Sequence, residues 1–207
     1  MIKEIAAVAL GLMLSLSGDG ASAQQADCFT AGDARLPSKV TYDNGSTLTV
    51  LDRLGGELRS ETTLPDGKKT RGSAYRGLFV SMRELPTMTA EYSWNQDLAR
   101  FFPLKIGDHI VADATVLLPG KKAVGTYFTE MSVVAEEMLR VGSCDYPVLK
   151  TEMSSRLDLG DTKGVASGKG FHYYHAASML TLRSIIPIPA TATTPSRIVE
   201  WRAIRLE

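Results

Sequence analysis

The hydrophobic and polar residues of this chain alternate most clearly between Phe101 and Met153. Every second residue from Ile110 to Leu118 is apolar, and the same alternation returns after Tyr127 and again around Leu149. A period of two is typical of strands with one covered face and one face in water. This stretch therefore predicts three antiparallel strands joined by two tight turns.

Turn signals predict further strands on both sides of this stretch. Four short strands between Lys39 and Tyr75 are separated by Asn44-Gly45, Gly55-Gly56 and Pro65-Asp66-Gly67. An Asn-Gly pair suits a type I′ hairpin turn because both central residues of that turn need a positive φ. After the central stretch, three more strands are predicted at Lys169–His175, Met179–Ile188 and Ile198–Leu206.

One segment between the two groups of strands predicts a short helix, near residues 90–100. Ser93 and Gln96 have the spacing of a capping box, and Pro103 would end a helix soon after Arg100. The whole pattern predicts a mainly β protein with a single domain over residues 24–207. We expect about ten antiparallel strands that form a curved sheet, either a half-open barrel or a clam.

The first 23 residues have the features of a secretory signal peptide. Lys3 supplies a positive charge, Ile5–Leu16 is an apolar run, and Ala21-Ser22-Ala23 fits a cleavage site. Cleavage near Ala23 would release a mature chain without a membrane span into the periplasm or the medium. Since Cys28 lacks the residues of a lipoprotein cleavage site before it, no lipid anchor is expected.

The chain has two cysteines, Cys28 and Cys144. In an oxidising compartment an isolated pair of cysteines is most simply a disulfide, so export predicts a bond between them. A redox-active or metal-binding pair is the alternative, although the chain has no C-x-x-C motif to support it.

The 23 basic and 23 acidic residues balance. The chain therefore has no basic excess that would neutralise a phosphate backbone, and a nucleic-acid partner is not expected.

No group of residues indicates catalysis. His172 and His175 are three positions apart, which places them on opposite faces of a strand and argues against one shared metal ion. Glu136 and Glu137 also alternate between faces, and no G-x-S-x-G elbow occurs. We therefore expect a protein that is not an enzyme and has no catalytic residue, metal or cofactor.

An aromatic cluster is the feature with the most functional promise. If the sheet curves, one set of side chains would line its hollow and could hold a hydrophobic small molecule. These candidate ligand-binding residues are Tyr127, Met131, Phe171, Tyr173, His175 and Trp201. The alternative is that the same rings simply fill the core.

Four motifs of the chain occur together in a known group of proteins. They are Phe102-Pro103-Leu104-Lys105-Ile106-Gly107, the strand end Glu136-Glu137, the turn Val141–Tyr146 and the aromatic strand Phe171–Tyr174. Over about residues 101–188 the chain thus resembles exported proteobacterial β-rich proteins of unknown function. The resemblance implies a half-barrel or clam-like sheet and no catalytic residues. His172 and Tyr174 depart from the group, which has Trp or Tyr there.

Three hypotheses about function remain open. The first is an exported, non-enzymatic envelope protein that binds a hydrophobic small molecule or an envelope component. The second is a structural or protein-interaction module that adds strands of an envelope protein to exposed sheet edges. A hydrolase or a metal enzyme is the third.

Overall fold

The computed structural model describes residues 28–29, 35–85, 88–159, 165–190 and 195–207. The predicted signal peptide, Met1–Ala23, lies outside these ranges. The described chain forms twelve strands. They are β1 (Lys39–Tyr42), β2 (Thr47–Leu54), β3 (Glu57–Thr63), β4 (Lys69–Tyr75), β5 (Phe79–Leu85), β6 (Met88–Trp94), β7 (His109–Leu118), β8 (Lys122–Val141), β9 (Cys144–Asp158), β10 (Val165–His175), β11 (Leu180–Ile188) and β12 (Arg197–Leu206).

The strands form one closed antiparallel barrel in which each strand pairs with its neighbours along the chain. The ring closes between the first and last strands, where Val40 of β1 lies opposite Leu206 of β12. The prediction of a mainly β, antiparallel fold is confirmed. The predicted count of about ten strands and the half-open shape are wrong, because β5 and β6 complete the ring between β4 and β7.

The predicted helix near residues 90–100 is also wrong. Ala90, Tyr92 and Trp94 alternate along β6, and Trp94 pairs with Ala114 of β7. Aromatic residues at every second position favour a strand over a helix. Only a 3₁₀ turn follows, at Leu98–Phe101, and the Asp97 side chain accepts a hydrogen bond from the backbone N–H of Ala99.

One end of the barrel is closed by a side-chain contact and a backbone contact to the segment that follows β10. Arg53 donates hydrogen bonds to the carbonyls of Pro37 (2.5 Å) and Ser178 (3.3 Å). Gly77, at φ 71°, lies so close to the Met179 carbonyl that a Cβ would sit 1.9 Å from that oxygen. Since only glycine fits there, this end of the barrel has a fixed, tight closure.

The barrel interior is identified by the side chains that are buried on every second position. Cross-strand partners point to the same face of a sheet, so the pairing carries this assignment from strand to strand. Ile110, Ala112 and Ala114 of β7 are buried on the interior face, as is Met131 of β8 opposite Ile110. Phe79 joins Ile110 and Met131 in one apolar cluster.

The long β8–β9 hairpin changes its buried face at a bulge. Val133 pairs with Thr151, but Ala135 pairs with Lys150, so the two sides of the bulge lie on opposite faces of the sheet. Beyond the bulge, the buried side chains therefore point away from the barrel interior. This "hairpin end" comprises Val134–Val141 of β8 and Cys144–Lys150 of β9.

A second apolar core forms beneath the hairpin end. Leu139, Tyr146 and Val148 are buried there in one cluster with Tyr173 of β10. The N-terminal segment is linked to this core by the predicted disulfide, with the Sγ atoms of Cys28 and Cys144 1.94 Å apart.

Candidate functional site

The barrel interior contains a cavity of about 500 Å³ between β1–β5 and β11–β12, here called the main cavity. Its inner part is lined by apolar side chains, among them the buried Tyr42, Leu58 and Leu180. Toward the other end of the barrel the lining becomes polar, with Thr62 and Thr70. The main cavity therefore runs from an apolar floor at the closed end to a polar opening.

A second interior cavity, of about 390 Å³, lies between β6 and β9 and is here called the apolar cavity. Alternation and pairing place its lining on the interior face, since Tyr92 pairs with Val116 and Tyr127 pairs with Leu157. Its lining includes Met88, Ala90, Tyr92, Val116, Leu118 and Leu157. A concave, mainly apolar space of this size is typical of a site for a small ligand.

Arg83 of β5 lies on the interior face between the two cavities. It borders the main cavity, and its cross-strand partner Ala90 borders the apolar cavity. Its partner on the other side is Gly72, which in turn lies opposite Ser60. Because Ala90, Gly72 and Ser60 are all small, the side chain of Arg83 has open space around it.

The charge of Arg83 is unpaired within the described chain. None of the described residues forms an ion pair or hydrogen bond with its guanidinium group, and the same holds for the ammonium group of Lys122, at the edge of the apolar cavity. The neighbouring Lys121, by contrast, pairs with Glu91.

The carboxylates near this opening point outward. Glu84 is the only acidic residue, of those described, that borders either cavity. It follows Arg83 in β5 and pairs with Thr89, so its side chain lies on the opposite face. Asp158, on the outer face of β9, has Arg156 as an ion-pair partner. The interior side of the opening is therefore basic.

The pKa of Tyr92 is affected by the same basic surroundings. Burial raises the pKa of the Tyr92 hydroxyl, while the positive charge of Arg83 acts in the opposite direction. The Tyr92 ring packs edge-on against Tyr127, with ring centroids 5.3 Å apart. A phenol in an apolar wall beside a cation stays neutral at physiological pH, because burial disfavours its charged form.

The structure places the six predicted ligand-binding residues in different parts of the molecule. Tyr127 and Met131 lie on the interior face, where Met131 is fully buried. Phe171 and Tyr173 belong to the core under the hairpin end, with the Lys150 ammonium 5.5 and 5.6 Å from their ring centroids. Of the six, only Trp201 borders the main cavity.

The remaining predicted residue, His175, is buried at the turn that follows β10. Its Nδ1 lies 2.7 Å from the Ser178 hydroxyl, and its ring is 5.4 Å from that of Tyr146. His172 makes a similar contact inside the barrel, with Nδ1 2.7 Å from the hydroxyl of Ser184. Burial lowers the pKa of both imidazoles.

The described residues include neither a group of metal ligands nor a membrane-spanning helix. Within those ranges, no three His, Cys, Asp or Glu side chains stand together as a metal ion would require. In the same ranges, no helix has the length and apolar character needed to cross a membrane.

Sequence reasoning missed the residues that border the cavities on β3–β6. The available signal was the alternation of Leu58, Ser60 and Thr62, in which every second residue is small or apolar. Arg83 gave no signal of its own, because an arginine in a charged strand is most simply a surface residue.

Solved structures similar to this chain include two bacterial proteins. No family model matches the chain, and no curated protein matches it. The hypothetical lipoprotein YmcC from Escherichia coli is 13% identical, with 86% of this chain and 90% of that chain covered and a TM-score of 0.45. A provisionally assigned lipoprotein from Parabacteroides distasonis is 11% identical, with 83% and 94% covered and a TM-score of 0.39.

Proposed function

We propose that this chain is an exported, non-enzymatic envelope protein that binds a small hydrophobic molecule inside its barrel. The observation that carries the proposal is the apolar cavity between β6 and β9, which lies inside a barrel whose other end is closed. Export is supported by the signal-like residues 1–23 and by the Cys28–Cys144 bond, because disulfides persist in oxidising compartments.

An open cavity is unusual in a protein interior that serves only to stabilise the fold. Protein interiors pack to nearly crystalline density, and empty space costs stability. Ala90 borders this cavity from the interior face, where a larger apolar side chain would fill part of the space. A ligand that enters this space would bury apolar surface and recover part of that stability.

The second hypothesis, strand addition at exposed sheet edges, has less support. Each of the twelve described strands is paired on both sides over at least part of its length. A closed ring removes the long free edges that strand addition needs. We therefore adopt ligand binding, and the interaction module becomes an outcome of its test.

The test is titration of the purified protein with Nile red, an uncharged dye that fluoresces in apolar surroundings. Ala90→Phe should fill the apolar cavity and weaken dye binding by about tenfold or more. That is the affinity lost when the dye buries roughly two fewer CH₂ groups. Leu118→Trp, at the edge of the same cavity, should act in the same direction. Thr89→Phe is the matched control, since Thr89 pairs with Glu84 on the outer face.

Two results would contradict the proposal. One is a wild-type protein that does not bind the dye. The other is equal binding by Ala90→Phe and Thr89→Phe while both variants keep the wild-type circular dichroism spectrum. Either would make the interaction module the favoured hypothesis.

A further inference from the structure

We infer that the ligand is a single-chain anionic amphiphile, with its alkyl chain in the apolar cavity and its acidic headgroup between Arg83 and Lys122. This inference rests on the proposed function and adds the chemical class of the ligand. Its basis is the position of two unpaired cations on either side of the mouth of the apolar cavity, which no described carboxylate borders.

The strand register places the two cations at the same level of the barrel. Arg83 lies opposite Ala90, and Lys122 lies opposite Leu118. Glu91 lies opposite Leu117, so the next step of the register brings Ala90 beside Leu118. Arg83, Ala90, Leu118 and Lys122 thus form one row across four strands on the interior face.

The dimensions of this row fit one headgroup. Neighbouring strands are about 4.8 Å apart, so the two basic residues are separated by three strand spacings, roughly 14 Å along the curved wall. Arginine and lysine have long, flexible side chains whose charged ends can approach from both sides. An anion at the mouth can therefore contact both, while an attached alkyl chain passes between Ala90 and Leu118 into the cavity.

The exposure of the two cations supports an anion rather than an uncharged ligand. Arg83 and Lys122 are both exposed at the mouth, and the residues across from Arg83 are Gly72 and Ala90, which leave room beside it for an anion. A guanidinium group can form two parallel hydrogen bonds with a carboxylate or a phosphate. Carboxylate and phosphate share this chemistry, and the experiment separates them.

The experiment is displacement of Nile red by four compounds that share a decyl or decanoyl chain, all below their micellar concentrations. They are decanoate, decyl phosphate, 1-decanol and decylammonium. Decanoate or decyl phosphate should bind about tenfold tighter than decanol, because hydrogen bonds to charged groups are the stronger kind. Decylammonium should bind more weakly than decanol. The tighter of the two anions identifies the headgroup.

Arg83→Gln should reduce the preference for the anion over decanol to about threefold or less. Lys122→Gln should have a smaller effect in the same direction. Arg59→Gln is the matched control, since Arg59 is an exposed arginine in β3 on the outer face, next to the interior Leu58. High salt should weaken anion binding and spare decanol.

The outcomes separate the inference from the proposed function. If decanol and decylammonium bind as tightly as decanoate and decyl phosphate, or if Arg59→Gln acts like Arg83→Gln, the anionic class is wrong and hydrophobic binding stands. If none of the four compounds displaces the dye or gives heat in direct calorimetry, both are wrong. Shortening the alkyl chain of the acid should reduce its affinity about fourfold for each CH₂ removed. An affinity that does not depend on chain length would show that the alkyl chain does not bind in the cavity.

Discussion

The barrel interior and the hairpin end bury apolar residues in opposite ways. The interior has many small side chains and two cavities, and the strands around it are held by one another. The hairpin end packs large side chains against one another and is tied by a disulfide to the N-terminal segment. The contrast indicates that stability is concentrated at the hairpin end, while the interior keeps space for a ligand.

The disulfide offers the largest test of this contrast. Cys28 and Cys144 are separated by 116 positions, so the double variant Cys28→Ser/Cys144→Ser should lose up to about 4–5 kcal/mol of unfolding free energy. The cause is the loop-closure entropy that the bond removes from the unfolded chain. Urea unfolding measures the loss. Met138→Ser, at an exposed position of the same hairpin, is the control. A loss no larger than that of the control would show that the bond does not hold the hairpin end.

Truncation of one valine in each region compares their packing directly. Val148 is in the hairpin end and Val116 borders the apolar cavity, and both are almost fully buried. Val148→Ala should cost about 2 kcal/mol, since it opens a new void in a filled core. Val116→Ala should cost about 1 kcal/mol, because it only enlarges existing space. Urea midpoints at constant slope measure both values. Equal losses would mean that the two regions are equally well packed.

Two histidines, the buried His175 and the partly buried His172, give the smallest effect, and one lies in each region. Burial lowers the pKa of His175, near the hairpin end, and of His172, in the barrel. Below about pH 6.5 the unfolded chain takes up a proton that each buried imidazole resists. The unfolding free energy should therefore fall as the pH drops through that value.

Substitution should show which histidine dominates. His175→Gln should flatten the fall more than His172→Gln, because His175 is only 2% exposed. Urea unfolding from about pH 7.5 to about pH 5 measures it. If both variants keep the wild-type profile, the fall belongs to other groups.

The local signals in the sequence predicted ten of the twelve strands. Asn44-Gly45 and Gly55-Gly56 stand at turns where the structure has positive φ at Gly45, Gly55 and Gly56. The disulfide could be predicted because the chain has only two cysteines. The compartment, the signal peptide and the absence of catalysis remain predictions.

The missed features depend on contacts that are distant in the chain. Phe79–Leu85 and Met88–Trp94 were not recognised as strands because Pro86 stands between them and Ser93 with Gln96 mimics a helix cap. The bulge after Val133 was missed as well. Buried residues stay at odd-numbered positions on both sides of the bulge, although the two sides bury opposite faces of the sheet. The predicted aromatic site failed for a different reason, because it used the wrong alternating set of β10: Gly170 lies opposite Met153, so His172 rather than Phe171 or Tyr173 shares the interior face.

The pairing of the first strand with the last has a consequence for how the chain is made. Val40 pairs with Leu206, and the backbone N–H of Lys39 donates a hydrogen bond to the carbonyl of Glu207. During synthesis β12 has to leave the ribosome before this seam can form. Until then β1 has only β2 beside it, so the growing chain has an unsealed sheet edge that invites premature association. A chain of this topology therefore depends on being kept apart from its own copies until its last strand has emerged.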